Sequence, residues 1–430
     1  MAYAPRNRKY KVRWNIAVPL LLLVVLIIYA LVNVLFPAPK EEVKKLTVCD
    51  LDGEKTVELL NKKIAETYTV KDYLYYGESL AIYENTYKAG GKDALAGKTV
   101  ELHNLCSDET VSLTLDSTVD QKITTEDLDP GFYEVTVTDN LVKKRIVFQD
   151  AVNAEPFYTA KRKGSINKIT LIADKELLKD YGIHWDQNYM FLNVEKSKPK
   201  DGDIDVLIDP YGMNTDLTMV PDEGNTGHGL VEYKEMYDAA VQMKKELEGY
   251  GLRVELTKSS AKQTPASIYG DDGRLAVGYQ KNAKYYLTLR FNTWDADDSI
   301  AGVEMWYSSY AGPNLANKIL YGLEKNLNMK GSPYTSGTTM GIRECGRTDD
   351  GFDNLPNLRE SGGRATMAGK ISDTAKTENK AFADANGMNA LEIDFAYISN
   401  ADDAANWKKN KEKIVKQTAA SFAEAIKASK

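Results

Sequence analysis

Several apolar runs in this 430-residue chain end on side chains that can carry charge or move protons. VLIDP (Val206 to Pro210) ends on Asp209, LEID ends on Asp394, and KYYLTLRFNTW (Lys284 to Trp294) runs from a core-like strand into Arg290 and then Asn292. Glu232 opens an amphipathic stretch, where the helix dipole favours a carboxylate. In open α/β sheets the ligand site lies beyond the carboxyl ends of the strands, so these residues are candidates for one site. Carboxylates there suit acid–base work or cation binding, and an arginine that closes a core strand needs an anionic partner. His228, in TGHGLVE, lies four residues before Glu232 and would share its helix face if the helix started early.

Taken in order, these pieces resemble the zinc-dependent N-acetylmuramoyl-L-alanine amidases, which cut the bond between muramic acid and the stem peptide of peptidoglycan. The resemblance runs from about Ile204 to the C-terminus. VLIDP stands where the family has a strand ending in Asp-Pro-Gly-His-Gly. EYKEMYDAA leading to YGLRVELTK stands for its Glu-led helix and the next strand, LTLRFN for Ser-Ile-His-x-Asn, and AGVEMWY for Gly-Val-Glu. DFAYISNADD stands for Glu-x-Gly-Phe-x-Ser-Asn-x-x-Asp. The resemblance implies three zinc ligands and a catalytic Glu, and those four places read Gly212, Glu232, Arg290 and Asp394 here.

Two imidazoles are thus replaced, while a catalytic zinc wants three protein ligands and a water. Without the ion nothing lowers the pKa of that water. Arg290 is expected to take the place of the lost cation and to pair with Glu232 or Asp394, since carboxylates facing one another in a cleft are costly unless paired or protonated. The expectation is a non-hydrolytic pseudo-amidase that binds peptidoglycan or a cell-envelope protein and needs no cofactor. One alternative is an active amidase with zinc on a rearranged set of Glu232, His228 and Asp394. Another is a structural or adhesive surface protein whose cleft is filled by side chains.

The site needs an α/β frame. Strands at IDVLI, LRVELT, KYYLTL, GVEMWYS and ALEIDFA alternate with helices over Val231 to Gly249, Asn314 to Leu327 and Lys411 to Lys427, which predicts a mixed sheet flanked by helices over residues 203–430. Met236, Ala240, Met243 and Leu247 fall on one helix face. Residues 68–198 read instead as a small all-β sandwich, with short period-two runs and a Pro130-Gly131 turn. Its resemblance to Ig-like or prealbumin-like domains is unspecific. Two long segments, Pro210 to Val231 and Thr335 to Met388, look like insertions at the substrate edge.

Residues 14–36 form an uncharged apolar run of 23 residues, enough at 1.5 Å per residue to cross a bilayer core of about 30 Å. Residues 1–13 carry Arg6, Arg8, Lys9, Lys11 and Arg13 without an acid, so the positive-inside rule puts them in the cytoplasm. Residues 37–67 read as a linker or stalk, and the bulk of the chain is expected outside the cell. Removing the +5 of the tail from the net charge of −7 leaves −12, which argues against nucleic acid as a partner. Of the three cysteines, Cys49 and Cys106 could pair in an oxidising compartment. An odd count with no framework fits an ordinary cysteine-poor surface protein better.

Overall fold

A computed structural model describes residues 66–87, 93–117, 122–179, 185–212, 224–263, 268, 273–308, 311–345, 355, 357–358 and 386–429. The apolar run at residues 14–36, its basic flank and residues 37–65 of the expected stalk lie outside these residues; Glu66 and Thr67, expected in the stalk, belong to a strand. Among the described residues no helix is long and apolar enough to cross a membrane.

The N-terminal module is built of short strands in two sheets. The larger runs, in spatial order, through Glu66–Val70, Val142–Phe148, Gly131–Asp139, Phe191–Ser197, Ile166–Ala173 and Phe157–Tyr158, with further strands attached. The smaller joins Asp72–Tyr76, Ser79–Tyr83 and Ile123–Thr124. Alternate side chains of both sheets meet in one core that includes Tyr75, Leu80, Ile82, Val137 and Phe148. Cys106 is disulfide-bonded. Its candidate partner, Cys49, lies outside the described residues. This corrects the reading of unpaired cysteines: spacing along the chain does not say which loops meet in space.

The C-terminal domain is a six-stranded mixed sheet containing β1 (Val206–Pro210), β2 (Val254–Leu256), β3 (Tyr285–Asn292), β4 (Glu304–Ser308), β5 (Ile342–Cys345) and β6 (Asn389–Tyr397), in the order β2-β1-β3-β6-β4-β5. β2, β1, β3 and β6 are parallel; β4 runs antiparallel to β6 and parallel to β5. Four helices accompany it: α1 (Glu232–Glu248), α2 (Arg274–Gln280), α3 (Asn314–Leu327) and α4 (Ala401–Ala425).

Period-two alternation divides the sheet cleanly. Ile208, Leu287, Leu289, Phe291, Leu391, Ile393 and Phe395 point to one face and pack with Met236, Ala240, Met243 and Leu247 of α1, as their spacing predicts, and with α3 and α4. The opposite face is apolar at the start of the strands, where Leu207, Tyr286 and Ala390 meet Leu275 of α2. Toward the carboxyl ends it turns polar.

Helix α4 starts at Ala401, ten residues before the expected Lys411. Asn400 explains the difference, because its side-chain oxygen accepts the N–H groups of Asp402 and Asp403 and caps the first turn. The polar run that follows hid this turn, although Ala404 and Trp407 are buried.

The two parts of the chain are tied together by a buried ion network. Arg162 donates to both carboxylate oxygens of Glu78, at 2.6 Å each, and to the carbonyl of Ile426 at the end of α4. Tyr285 of β3 donates its hydroxyl proton to the same carboxylate at 2.6 Å. The backbone adds a parallel bridge between Tyr76 and Gly387, just before β6.

Candidate functional site

The register of the sheet assembles the site. Asp209 lies opposite Thr288, Thr288 opposite Glu392, and Glu392 opposite Trp306. One step further along, Arg290 lies opposite Asp394 and Asp394 opposite Glu304. Because side chains repeat every two residues, both rows project from the same face. The second row, with Asn292, Trp294, Tyr334 and Arg343, lines a pocket of about 290 Å³.

Arg290 sits at its centre with its side chain 21% exposed. Its Nη1 donates to Glu392 at 3.3 Å, its Nε lies 3.9 Å from Glu232, and its guanidinium stacks 3.8 Å from the ring centroid of Tyr211. The Nε has no hydrogen-bond partner. Burial works against this cation, but the carboxylates of Glu392, Asp394 and Glu232 outweigh it and raise its pKa.

Glu232 is fully buried at the first position of α1. One carboxylate oxygen accepts the N–H of Phe291 and the other the N–H of Asn225, both at 2.6 Å. It therefore fastens the segment before α1 to the end of β3. Burial pushes its pKa up to about 7, although Arg290 and the two amides favour the ionised form. Glu392 is also raised, by burial first and by Asp209 and Glu304, against the pull of Arg290. Asp394, 3% exposed, is raised by burial and then by Glu392. No hydrogen bond or ion pair is made by its carboxyl group among the described residues.

Glu304 is the most fully satisfied group of the pocket. Arg343 and Asn292 donate to one of its oxygens at 3.0 and 3.3 Å, Ser332 and Tyr397 to the other at 2.7 and 2.8 Å. Arg343 also stacks 3.9 Å above the ring of Trp306.

The remaining candidates lie apart from this centre. Asp209 accepts from Thr257 at 2.5 Å and from Tyr286, and lies 3.3 Å from Arg274 of α2; it belongs to the polar face but not to the pocket wall. His228 is exposed in the turn between the strands Thr226–Gly227 and Leu230–Val231, where its Nε2 meets the carbonyl of Ser399 at 3.0 Å. Gly212 has φ +98°, and a Cβ built there would come within 2.6 Å of the Tyr233 Cβ.

A zinc ion, which the resemblance implies, does not fit these residues. Position 212 has no room for an imidazole, Glu232 has spent both oxygens on backbone amides, and the third ligand place holds a guanidinium. His228 faces Ser399 rather than Glu232. Among the described residues no group of three His, Cys, Asp or Glu side chains could hold a metal ion.

Arg290 thus pairs with Glu232 at 3.9 Å, as expected, and lies closer still to Glu392, at 3.3 Å, which sequence reasoning passed over. Tyr211, Glu304, Arg343 and Tyr397 were missed as well. The signal for Glu392 was present in LEIDF, where it alternates with apolar residues exactly as Asp394 does.

An α/β domain that gathers its ionisable groups at the carboxyl edge of a mostly parallel sheet is the class defined so far. Residues 218–428 match the sequence profile of the family described as N-acetylmuramoyl-L-alanine amidase. No curated protein sequence gives a significant match. Among solved structures, N-acetylmuramoyl-L-alanine amidase AmiC2 of Nostoc punctiforme is similar at 17% identity, over 52% of this chain and 94% of that one, with a TM-score of 0.35. Cwp6 from Clostridium difficile is 21% identical over 53% of this chain but only 29% of its own length, with a TM-score of 0.37. The catalytic domain of CwlV, an N-acetylmuramoyl-L-alanine amidase from Bacillus (Paenibacillus) polymyxa var. colistinus, is 17% identical over 52% of this chain and 98% of that one, with a TM-score of 0.36. Residues 218–428, just under half of the chain, are thus similar to the N-acetylmuramoyl-L-alanine amidase family.

Proposed function

We propose that this is a single-pass membrane protein of the cell envelope whose amidase-family domain binds peptidoglycan, or an envelope protein, without hydrolysing it. The observation that carries this reading is Arg290. A permanent cation stands among Glu392, Glu232 and Asp394, in the place where the family resemblance puts a zinc ligand. It satisfies part of the carboxylate charge and occupies a zinc ligand's place, and no residue lining the pocket supplies the missing imidazoles.

An outward-facing domain is supported by the apolar run at residues 14–36 behind a basic tail, and by the disulfide of Cys106, which suits an oxidising compartment. The purely adhesive reading expects a cleft filled by side chains, and a pocket of about 290 Å³ argues against it.

The test uses the full-length chain in detergent micelles, prepared without chelator and mixed with purified peptidoglycan. Cosedimentation with the polymer, zinc well below one ion per chain and no released stem peptide are expected. Near-stoichiometric zinc with stem-peptide release would establish an active amidase with rearranged ligands instead. Neither binding nor release would leave a structural or adhesive role.

A further inference from the structure

We infer that the pocket beside Arg290 is a binding site for a primary ammonium group, received by the Asp394 carboxylate against an aromatic wall. This deepens the binding role proposed above and rests on it for the identity of the larger ligand.

The argument is one of leftover valence. Of the four carboxyl groups around the pocket, three have their donors. Glu392 takes Arg290 at 3.3 Å, Glu232 takes two backbone amides, and Glu304 takes four side chains. Asp394 has none, although it is 3% exposed and lines the open volume. Buried polar groups are almost always hydrogen-bonded, so a bare carboxyl facing an accessible pocket marks the place of an absent donor. The adjacent Arg290 makes its ion pairs with Glu392 and Glu232 and stacks on Tyr211, and donates no hydrogen bond to Asp394.

The chemistry of the donor follows from what surrounds it. An anion would meet Glu392, Glu304 and Asp394 together. A divalent metal would need two or three converging free ligands, and one is present. A single ammonium needs one carboxylate for its charge and can rest its remaining bulk on π faces. Trp294 and Tyr334 provide these at the mouth, with ring centroids 6.0 Å apart, and Trp294 is 47% exposed as though awaiting a contact. On this view Arg290 and Arg343 pair with Glu392, Glu232 and Glu304, and the ligand brings the counter-charge for Asp394.

Two probes test it by calorimetry on the full-length chain: N-acetyl-lysine methylamide and N-acetyl-norleucine methylamide, which differ in the ammonium. A charge-assisted hydrogen bond predicts that the lysine compound binds about tenfold tighter or more. Asp394→Asn should erase that preference. Equal binding of the two compounds by the unaltered protein overturns the inference, and this comparison needs no variant to fold. Peptidoglycan with its free amines acetylated separates the two claims. If native and acetylated polymer cosediment equally, the ammonium site is wrong and the binding role stands. If the lysine compound binds through Asp394 but no polymer cosediments, the site stands and the peptidoglycan reading falls.

Discussion

Two buried arginines, Arg162 and Arg290, solve the same electrostatic problem differently. Arg162 grips Glu78 with two bonds of 2.6 Å and spends further donors on the Ile426 carbonyl. Arg290 makes one long bond to Glu392, stands 3.9 Å from Glu232 and leaves its Nε unpaired. The consequence appears in the carboxylates. Burial acts against ionised Glu78, yet Arg162, Tyr285 and the Ala160 amide more than compensate and lower its pKa. Around Arg290 burial wins, and Glu232, Glu392 and Asp394 are all raised. Fully paired charge holds two parts of a protein together; underpaired charge at a strand edge is what a binding site looks like before its ligand arrives.

The largest effect should come from breaking the well-made cluster. Arg162→Met strands the Glu78 carboxylate, whose side chain is 1% exposed, and removes two donors from the end of α4. Urea unfolding at pH 7 should show a loss of about 3–5 kcal/mol, the usual cost of orphaning one partner of a buried pair. Because Glu78 has a lowered folded pKa, its contribution is present above the unfolded value and disappears as the pH falls through the folded one. The loss in the variant should therefore shrink in acid. An equal loss at all pH values would mean that packing, not charge, holds the parts together.

Glu232 should behave with the opposite sign. Its folded pKa of about 7 lies above the usual 4.5, so its contribution is complete below the unfolded value and is lost as pH rises through 7. Stability attributable to it should fall by roughly 3 kcal/mol between about pH 4.5 and 7. Glu232→Gln should flatten that part of the pH profile. It should also lower stability in acid, because one backbone N–H then faces an amide donor. A profile unchanged by the substitution would show that Glu232 stays ionised through its two amides.

Arg290→Met comes next, at about 1–2 kcal/mol near pH 8, less than for Arg162 because the neighbouring carboxyls can take up protons instead. Since Arg290 draws the Glu232 pKa down, its removal should extend the falling limb of the pH profile to higher pH. A loss as large as that of Arg162→Met would erase the contrast between the two clusters.

The contrast itself was only partly legible in the sequence. Arg290, Asp209 and Asp394 stand out because each ends an apolar run, and α1 is legible from its apolar face. Glu392 was readable from alternation but was not singled out within the strand ALEIDFA, where attention fell on Asp394. Arg343 belongs to β5, which lay inside a polar stretch read as an insertion. Nothing in the sequence signals that Glu78, Arg162 and Tyr285 meet, since 84 residues separate the first pair and a sheet register fixes the third. Local periodicity reports which face a residue takes; it does not report what lies opposite across a domain boundary.

The smallest effect sharpens the comparison from below. Lys427 and Asp127 form an ion pair that also bridges the two parts of the chain, next to the Arg162 network, but both side chains are about half exposed, at 47% and 57%. Position alone would give this pair the same importance as Glu78 and Arg162. Exposure says otherwise, because water solvates both partners when the pair opens, and holding two flexible side chains costs entropy. Asp127→Asn should shift the unfolding free energy by no more than about 0.5 kcal/mol, and added salt should remove even that. A shift comparable to that of Arg162→Met would mean that the contact between the parts depends on the count of its ion pairs. A negligible one would show that it depends on the single pair from which water is excluded.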